Sequence, residues 1–150
     1  MTVDFSFKRA PSYRVATLSR KGGWDEKKLR GQFKALVEWA KKNHLRMGRW
    51  LFFEPDGKTF IAAIEVKGKA TGSGRIRLRT IPSATVASVT FNSDDVSPRV
   101  IYHGLNDWLR WRKKDKEIKK ALSYREVYSG DPWSGPKVWA HTEIQVVVKK

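Results

Sequence analysis

The chain has 150 residues, with 31 Lys and Arg against 15 Asp and Glu for a formal net charge of +16. Hydrophobic residues make up 40%, including seven Trp, seven Phe and four Tyr, which is too much large apolar surface for a disordered chain. No run reaches the roughly 18 apolar residues that span a bilayer, the start MTVDFSFKRAPSYR has no apolar signal core, and the absence of Cys excludes disulfides, thiolate metal sites and a Cys nucleophile. One folded domain is therefore expected, cytoplasmic and without membrane contact.

Tyr13 to Ser19 (YRVATLS) alternates β-forming residues and reads as a strand that ends at Arg20-Lys21-Gly22-Gly23. Asp25 then offers an N-cap, Glu26 suits the positive helix end, and Trp24 stands where a hydrophobic staple to Leu29 is expected. Leu29, Phe33, Leu36, Val37 and Ala40 form one buried stripe of a helix that ends near Asn43. Arg49 to Phe53 and Thr59 to Val66 make a hairpin around Glu54-Pro55-Asp56-Gly57. A polar, glycine-rich connector covers 68–74.

The order then repeats. Arg75 to Ile81 and Ala84 to Phe91 read as strands, and Ser97-Pro98 supplies an N-cap followed by Pro at the first helical position. Val100, Ile101, Leu105, Trp108 and Leu109 give the second buried stripe, and the helix is expected to continue through the basic segment to Ile118, Ala121 and Leu122. Arg125 to Tyr128 and His141 to Val148 close the chain as a second strand pair. Overlaid, Val15-Ala16-Thr17 matches Val86-Ala87-Ser88, Leu36 to Trp39 matches Leu105 to Trp108, Leu51-Phe52-Phe53 falls opposite Glu126-Val127-Tyr128, and Ile64-Glu65-Val66 opposite Ile144-Gln145-Val146. The reading is an α+β tandem pseudo-twofold repeat of strand, helix and hairpin, with repeat 1 at about 10–67 and repeat 2 at about 75–150. Such short units share a core, so a mostly antiparallel sheet with two long helices on one face is expected, leaving the other, concave face for a ligand cleft.

The segments VATLSRKGGWDE (Val15 to Glu26), REVYSGDP (Arg125 to Pro132) and TEIQVVVKK (Thr142 to Lys150) resemble, in order, the landmarks of the GyrI-like domain family, the bacterial transcription activator effector-binding domain. The resemblance covers nearly the whole chain from Tyr13 onward. It implies an aromatic-lined small-molecule cleft with a buried acidic residue that meets cationic or polar ligands. Family members serve multidrug-responsive regulators, stand alone (a gyrase inhibitor among them), or hydrolyse cyclopropane-bearing genotoxins. The family's acidic residue precedes a Tyr by two, which carries over to Glu126 with Tyr128 beside it. Two departures stand out: Phe91-Asn92-Ser93-Asp94-Asp95 replaces a Gly-Pro-Tyr-like turn, and Val147 stands where a Pro is frequent.

Residues two apart on a strand share a face, so Glu126 and Tyr128 point the same way, and the overlay sends Leu51 and Phe53 toward the cleft from the other repeat. A carboxylate among apolar groups has a raised pKa and serves as cation receptor or general base; the alternative is a surface Glu paired with a basic neighbour. Trp39 and Trp108 belong either to the core or to the cleft lining. Trp50 and Phe52 are expected under the helices, and Trp133 and Trp139 as lids or loop anchors. Arg110, Arg112, Lys113, Lys114, Lys116, Lys119 and Lys120 form a dense basic run, either a solvated helix face or a nucleic-acid surface. His44, His103 and His141 lack metal-site spacing, no Gly-x-Ser-x-Gly or Gly-x-x-x-x-Gly-Lys string occurs, and no metal or cofactor is expected.

Three functions follow as expectations. One is a stand-alone binding module for an amphipathic, cationic ligand, built on Glu126, Tyr128, Phe53, Leu51, Trp108 and Trp39. Another is a cofactor-free hydrolase with Glu126 as general base and Tyr128 beside the developing charge. The third is a basic protein in electrostatic contact with nucleic acid or a gyrase-modulating role. A monomer or weak homodimer is expected in each case.

Overall fold

The computed structural model describes residues 3–135, 138 and 141–150; Trp139 lies outside the described residues. Its strands and helices are β1 (Ser6–Ala10), β2 (Tyr13–Lys21), α1 (Glu26–Lys42), β3 (Arg46–Phe53), β4 (Thr59–Lys67), β5 (Arg77–Ile81), β6 (Ala84–Phe91), α2 (Pro98–Lys114), β7 (Lys120–Tyr128) and β8 (Thr142–Lys149). Two compact units result, 12–82 and 1–11 with 83–150. Among the described residues no helix is long and apolar enough to cross a membrane.

The first unit orders its strands β3-β4-β2-β5 with antiparallel neighbours throughout. Asp25 caps α1 as its sequence position predicts, its carboxylate accepting from the Lys28 N–H at 3.0 Å. Leu29, Phe33, Leu36 and Ala40 are buried, and Phe33 stacks on Trp50 of β3 with ring centroids 4.6 Å apart. That stack marks the even-numbered positions of β3, with Ile64 and Ala16 in register, as the face α1 covers. Buried Gln32 joins this packing with its polar groups satisfied, donating to the Leu18 and Phe60 carbonyls and accepting from Arg20 Nε. Trp24 is 61% exposed and leans on Phe52 and Phe60, centroids 5.7 and 6.0 Å away, so those rings take the contact that the staple reading gave to Leu29.

The second unit orders its strands β1-β6-β8-β7, again antiparallel. Ser97 and Pro98 start α2 as expected, Ser97 Oγ accepting from the Arg99 N–H. Ile101, Leu105 and Leu109 pack on Ala87, Val89, Phe91, Ile144, Val146 and Val148. The Phe91-Asn92-Ser93-Asp94-Asp95 turn is closed by Asn92, whose side chain accepts from the Asp94 N–H and whose carbonyl accepts from Asp95 and Val96.

Three expectations change. The second helix stops at Lys114 instead of running to Leu122, because Lys116 turns left-handed at φ 63 and the N–H groups of Lys116 and Glu117 close onto the Lys113 and Arg112 carbonyls. The same closure ends α1, with His44 at φ 56 and Leu45 N–H on the Ala40 carbonyl. The units do not divide at the glycine-rich segment: β5 pairs with β2, and the N-terminal β1, unread in the polar opening, pairs with β6. Finally, the sheet faces turned away from the helices are not open. Tyr13, Val15, Leu51, Ile61 and Ala63 are at most 5% exposed in the first unit, and Val86, Val127, Arg125 and Gln145 at most 6% in the second. Runs such as Phe60-Ile61-Ala62-Ala63-Ile64 are apolar at consecutive positions, the pattern of a strand buried on both faces.

Candidate functional site

Glu126 sits in β7 directly opposite Ile144, and Ile144 belongs to the apolar face beneath α2. Alternation therefore places Tyr124, Glu126 and Tyr128 on the helix-covered face of the sheet. α2 supplies Tyr102, one residue past buried Ile101 and so at the margin of its buried stripe. Its hydroxyl donates to Glu126 Oε2 at 3.0 Å, and the Tyr128 hydroxyl donates to Oε1 at 2.8 Å. Each carboxylate oxygen thus holds one phenol. Tyr124 packs beside this pair, its ring centroid 6.1 Å from that of Tyr102 and its hydroxyl on Asn106 Oδ1, one turn along α2.

Burial pushes the Glu126 carboxyl above the usual carboxylate range, while the two phenol hydrogen bonds pull in the opposite direction. Burial also raises Tyr102 and Tyr128 far above the ordinary phenol value, and the adjacent carboxylate adds to the rise. Burial raises Tyr124 as well. The phenols therefore stay protonated donors at neutral pH, and Glu126 is the group of this cluster that can carry charge. A carboxylate in an aromatic setting can receive a cation or take a proton from water.

The structure brings Glu126 and Tyr128 together and adds Tyr102, Tyr124 and Asn106, which the sequence reading missed. A signal for Tyr102 existed in its helical position, one residue after Ile101 of the buried stripe. Trp108 is partly buried and packs on Phe7 and Phe5, centroids 4.9 and 6.0 Å away, with the Arg112 guanidinium 5.0 Å from its ring. Trp39 is 8% exposed in α1, and its Nε1 has no hydrogen-bond partner among the described residues. Leu51 and Phe53 occupy the face of the first-unit sheet that α1 does not cover, whereas Glu126 and Tyr128 share the face of α2.

That difference corrects the overlay of the repeats by one residue. Ala16 and Ala87 are equivalent, which makes Leu18 equivalent to Val89, and pairing then leads through Ala62 and Ile144 to Phe52 and Glu126. The residue of repeat 1 standing where Glu126 stands is Phe52, packed against Trp24 and Phe60. β3 and β7 each carry a register shift, between Met47 and Trp50 and between Ala121 and Ser123. A bulge turns every later side chain to the opposite face, so an overlay by residue type cannot hold the register.

Trp50 and Phe52 lie under α1, as alternation predicts. In the loop after β7, Asp131 accepts from the Trp133 N–H at 2.8 Å, so that backbone is anchored at Trp133. Of the basic run, Arg110, Arg112, Lys113 and Lys114 are on α2, Lys116 and Lys119 follow it, and Lys120 opens β7. Among the described residues no group of three or more His, Asp or Glu is placed to hold a metal ion.

No family model matches the chain, and no curated protein is close enough in sequence to be named as a relative. Solved structures do share its fold. The crystal structure of the EcmrR C-terminal domain is 20% identical with a TM-score of 0.80, covering 100% of this chain and 99% of that one. In a cryo-EM structure of an EcmrR–DNA complex the match is 20% identical at TM-score 0.77, and the chain spans 58% of that longer protein. SAV2435 bound to tetraphenylphosphonium is 12% identical, with TM-score 0.57 over 97% of this chain and 94% of that one. A hydrolase from Listeria innocua is 10% identical, with TM-score 0.61 over 97% and 91%. The chain has the fold of these proteins.

Proposed function

We propose that this chain is a GyrI-like effector-binding domain that captures an amphipathic, cationic small molecule at the Glu126 carboxylate. The observation that carries the reading is a half-buried carboxylate whose two oxygens each hold one phenol, Tyr102 from the helix and Tyr128 from the strand. Desolvation disfavours its charge when the site is empty, and a cation brought within reach relieves that cost. Tyrosine rings beside it offer the apolar and π surface that a lipophilic cation needs. SAV2435, which shares the fold, is described with tetraphenylphosphonium bound, and that cation is a suitable probe.

Isothermal titration of tetraphenylphosphonium against the wild type and Glu126→Gln tests the proposal. Glutamine keeps the shape and hydrogen-bonding capacity while removing the charge. A loss of at least about tenfold, near 1.4 kcal/mol, is expected for the cation, and little change for a neutral ligand of similar shape. Equal cation affinity in both proteins would refute the carboxylate as receptor.

A second reading rests on the same three residues. With Tyr102 and Tyr128 held protonated, Glu126 can take a proton from water while the resulting hydroxide opens a strained ring and a phenol protonates the departing carbon. Hydrolysis of a cyclopropane-bearing electrophile, abolished by Glu126→Gln, is the result that would select the enzyme over the receptor.

A further inference from the structure

The sheet of the first unit ends at β5, which has β2 on one side and no strand on the other among the described residues. An edge of this kind presents backbone donors and acceptors that another extended chain can pair with. Its beginning is folded against a turn, because Ser73 and Ile76 bond each other's carbonyls and a Cβ on Gly72 would stand 2.6 Å from the Ile76 oxygen. Pro82 follows its other end and has no N–H to offer. The open edge is therefore Arg77–Ile81.

The side chains along that edge select a partner. Arg77 stands opposite Thr17 and Arg79 opposite Val15, so both arginines share the sheet face turned away from α1, and both are exposed. Leu78, between them, is half-buried and takes the other face with Ala16. No acid stands across from either arginine on β2. Glu65, one strand further and in the row of Arg79, is taken by Arg49, whose N–H donates to Oε1 at 3.2 Å and whose guanidinium lies 3.6 Å away. Arg75, just before the strand, donates to the Ser19 carbonyl at 3.3 Å. Among the described residues neither Arg77 nor Arg79 is in an ion pair. A second copy pairing antiparallel through the same edge would set arginine against arginine about Leu78 or about Arg79, which like charges disfavour. A strand acidic at every second residue would instead put a carboxylate beside each arginine, since directly opposed residues share a face.

We propose that β5 binds an extended acidic peptide by strand addition, with carboxylates at alternate positions meeting Arg77 and Arg79 and an apolar residue between them beside Leu78. These residues belong to the first unit and Glu126 to the second, so the two sites can be tested separately. Fluorescence anisotropy at low salt with a labelled Thr-Val-Glu-Val-Glu-Val-Thr peptide tests it. The wild type is expected to bind, and Arg77→Gln/Arg79→Gln to weaken binding at least about fivefold, the effect of two cross-strand charge pairs. Circular dichroism checks that the variant remains folded. A peptide of the same composition with adjacent glutamates, which must point to opposite faces, is expected to bind more weakly, and one N-methylated throughout its backbone not at all. Hydrogen exchange at the Arg77–Ile81 amides is expected to slow when the first peptide binds. No binding by the wild type, equal binding by the double variant or by either control peptide, unchanged exchange at β5, self-association that excludes the peptide, or displacement by oligothymidine as readily as by unlabelled peptide would each overturn the proposal.

Discussion

Replacing Tyr102 by Phe removes one hydroxyl and leaves the ring, and with it the contact to Tyr124, in place. The lost bond runs from Tyr102 to Glu126 Oε2 at 3.0 Å, and Glu126 keeps the 2.8 Å bond from Tyr128. A hydrogen bond to a charged acceptor contributes about 1.5–3 kcal/mol, and the half-buried position of Tyr102 puts this one near the lower end, about 1.5 kcal/mol. When the carboxyl is protonated the same bond is neutral and contributes about 0.5–1 kcal/mol. The penalty therefore depends on pH, and its sign follows from proton binding. Burial raises the folded pKa of Glu126 and the Tyr102 bond holds it down, so Tyr102→Phe raises it further. Between the unfolded and folded pKa values the folded state binds more protons, so stability falls as pH rises through that window. The window is wider in the variant, which therefore loses more at high pH. Urea unfolding of both proteins at about pH 4 and about pH 8 measures this, with a midpoint temperature lower by about 3–6 °C at the higher pH as a second readout. A penalty of equal size at both pH values would show that the hydroxyl does not act through the Glu126 charge.

Glu126→Gln is expected to remove this pH-dependent contribution, so that its stability gain over the wild type grows with pH above the ordinary carboxylate range; a constant difference in urea midpoint would contradict it. His44→Gly is expected to stabilise by about 0.5–1 kcal/mol, because His44 holds a left-handed φ of 56 at the end of α1, where Gly is unstrained; a lower unfolding midpoint would refute the strain. Leu105→Ala, at a position with 0% exposure on the buried face of α2, should cost about 2–5 kcal/mol with an unchanged denaturant slope. Gly72→Ala should destabilise by about 1 kcal/mol or more, since a Cβ there would stand 2.6 Å from the Ile76 carbonyl oxygen; protection of the Ser73 and Ile76 amides, which bond each other's carbonyls, reports it by hydrogen exchange.

Local rules carried far in this chain. Asp25 and Ser97 start their helices where capping chemistry places them, the two apolar stripes face the sheets except for Val100, which is 62% exposed in the first turn of α2, and the strand-helix-hairpin order repeats, because capping, periodicity and turn residues act over a few positions and leave their pattern in the sequence. The pairing of Glu126 with Tyr128 was legible for the same reason, since two residues apart on a strand share a face. The partners from other elements were not. Tyr102 reaches Glu126 only because α2 lies across β7, and Lys149 meets Lys120 only because β8 returns beside it. β1 was hidden in a polar opening, since an edge strand needs few apolar residues and its place beside β6 is set by pairing. Register was the least readable property: one inserted residue in β3 and one in β7 reverse the facing of all that follows, so the equivalence of Phe52 with Glu126 had to come from the ladder of hydrogen bonds. The sequence by itself determined the helix starts, the hairpins and the pairing of Glu126 with Tyr128, and tertiary structure decided where α2 ends, which face Glu126 occupies and which tyrosines hold it, because facing and contact depend on pairing between segments distant along the chain.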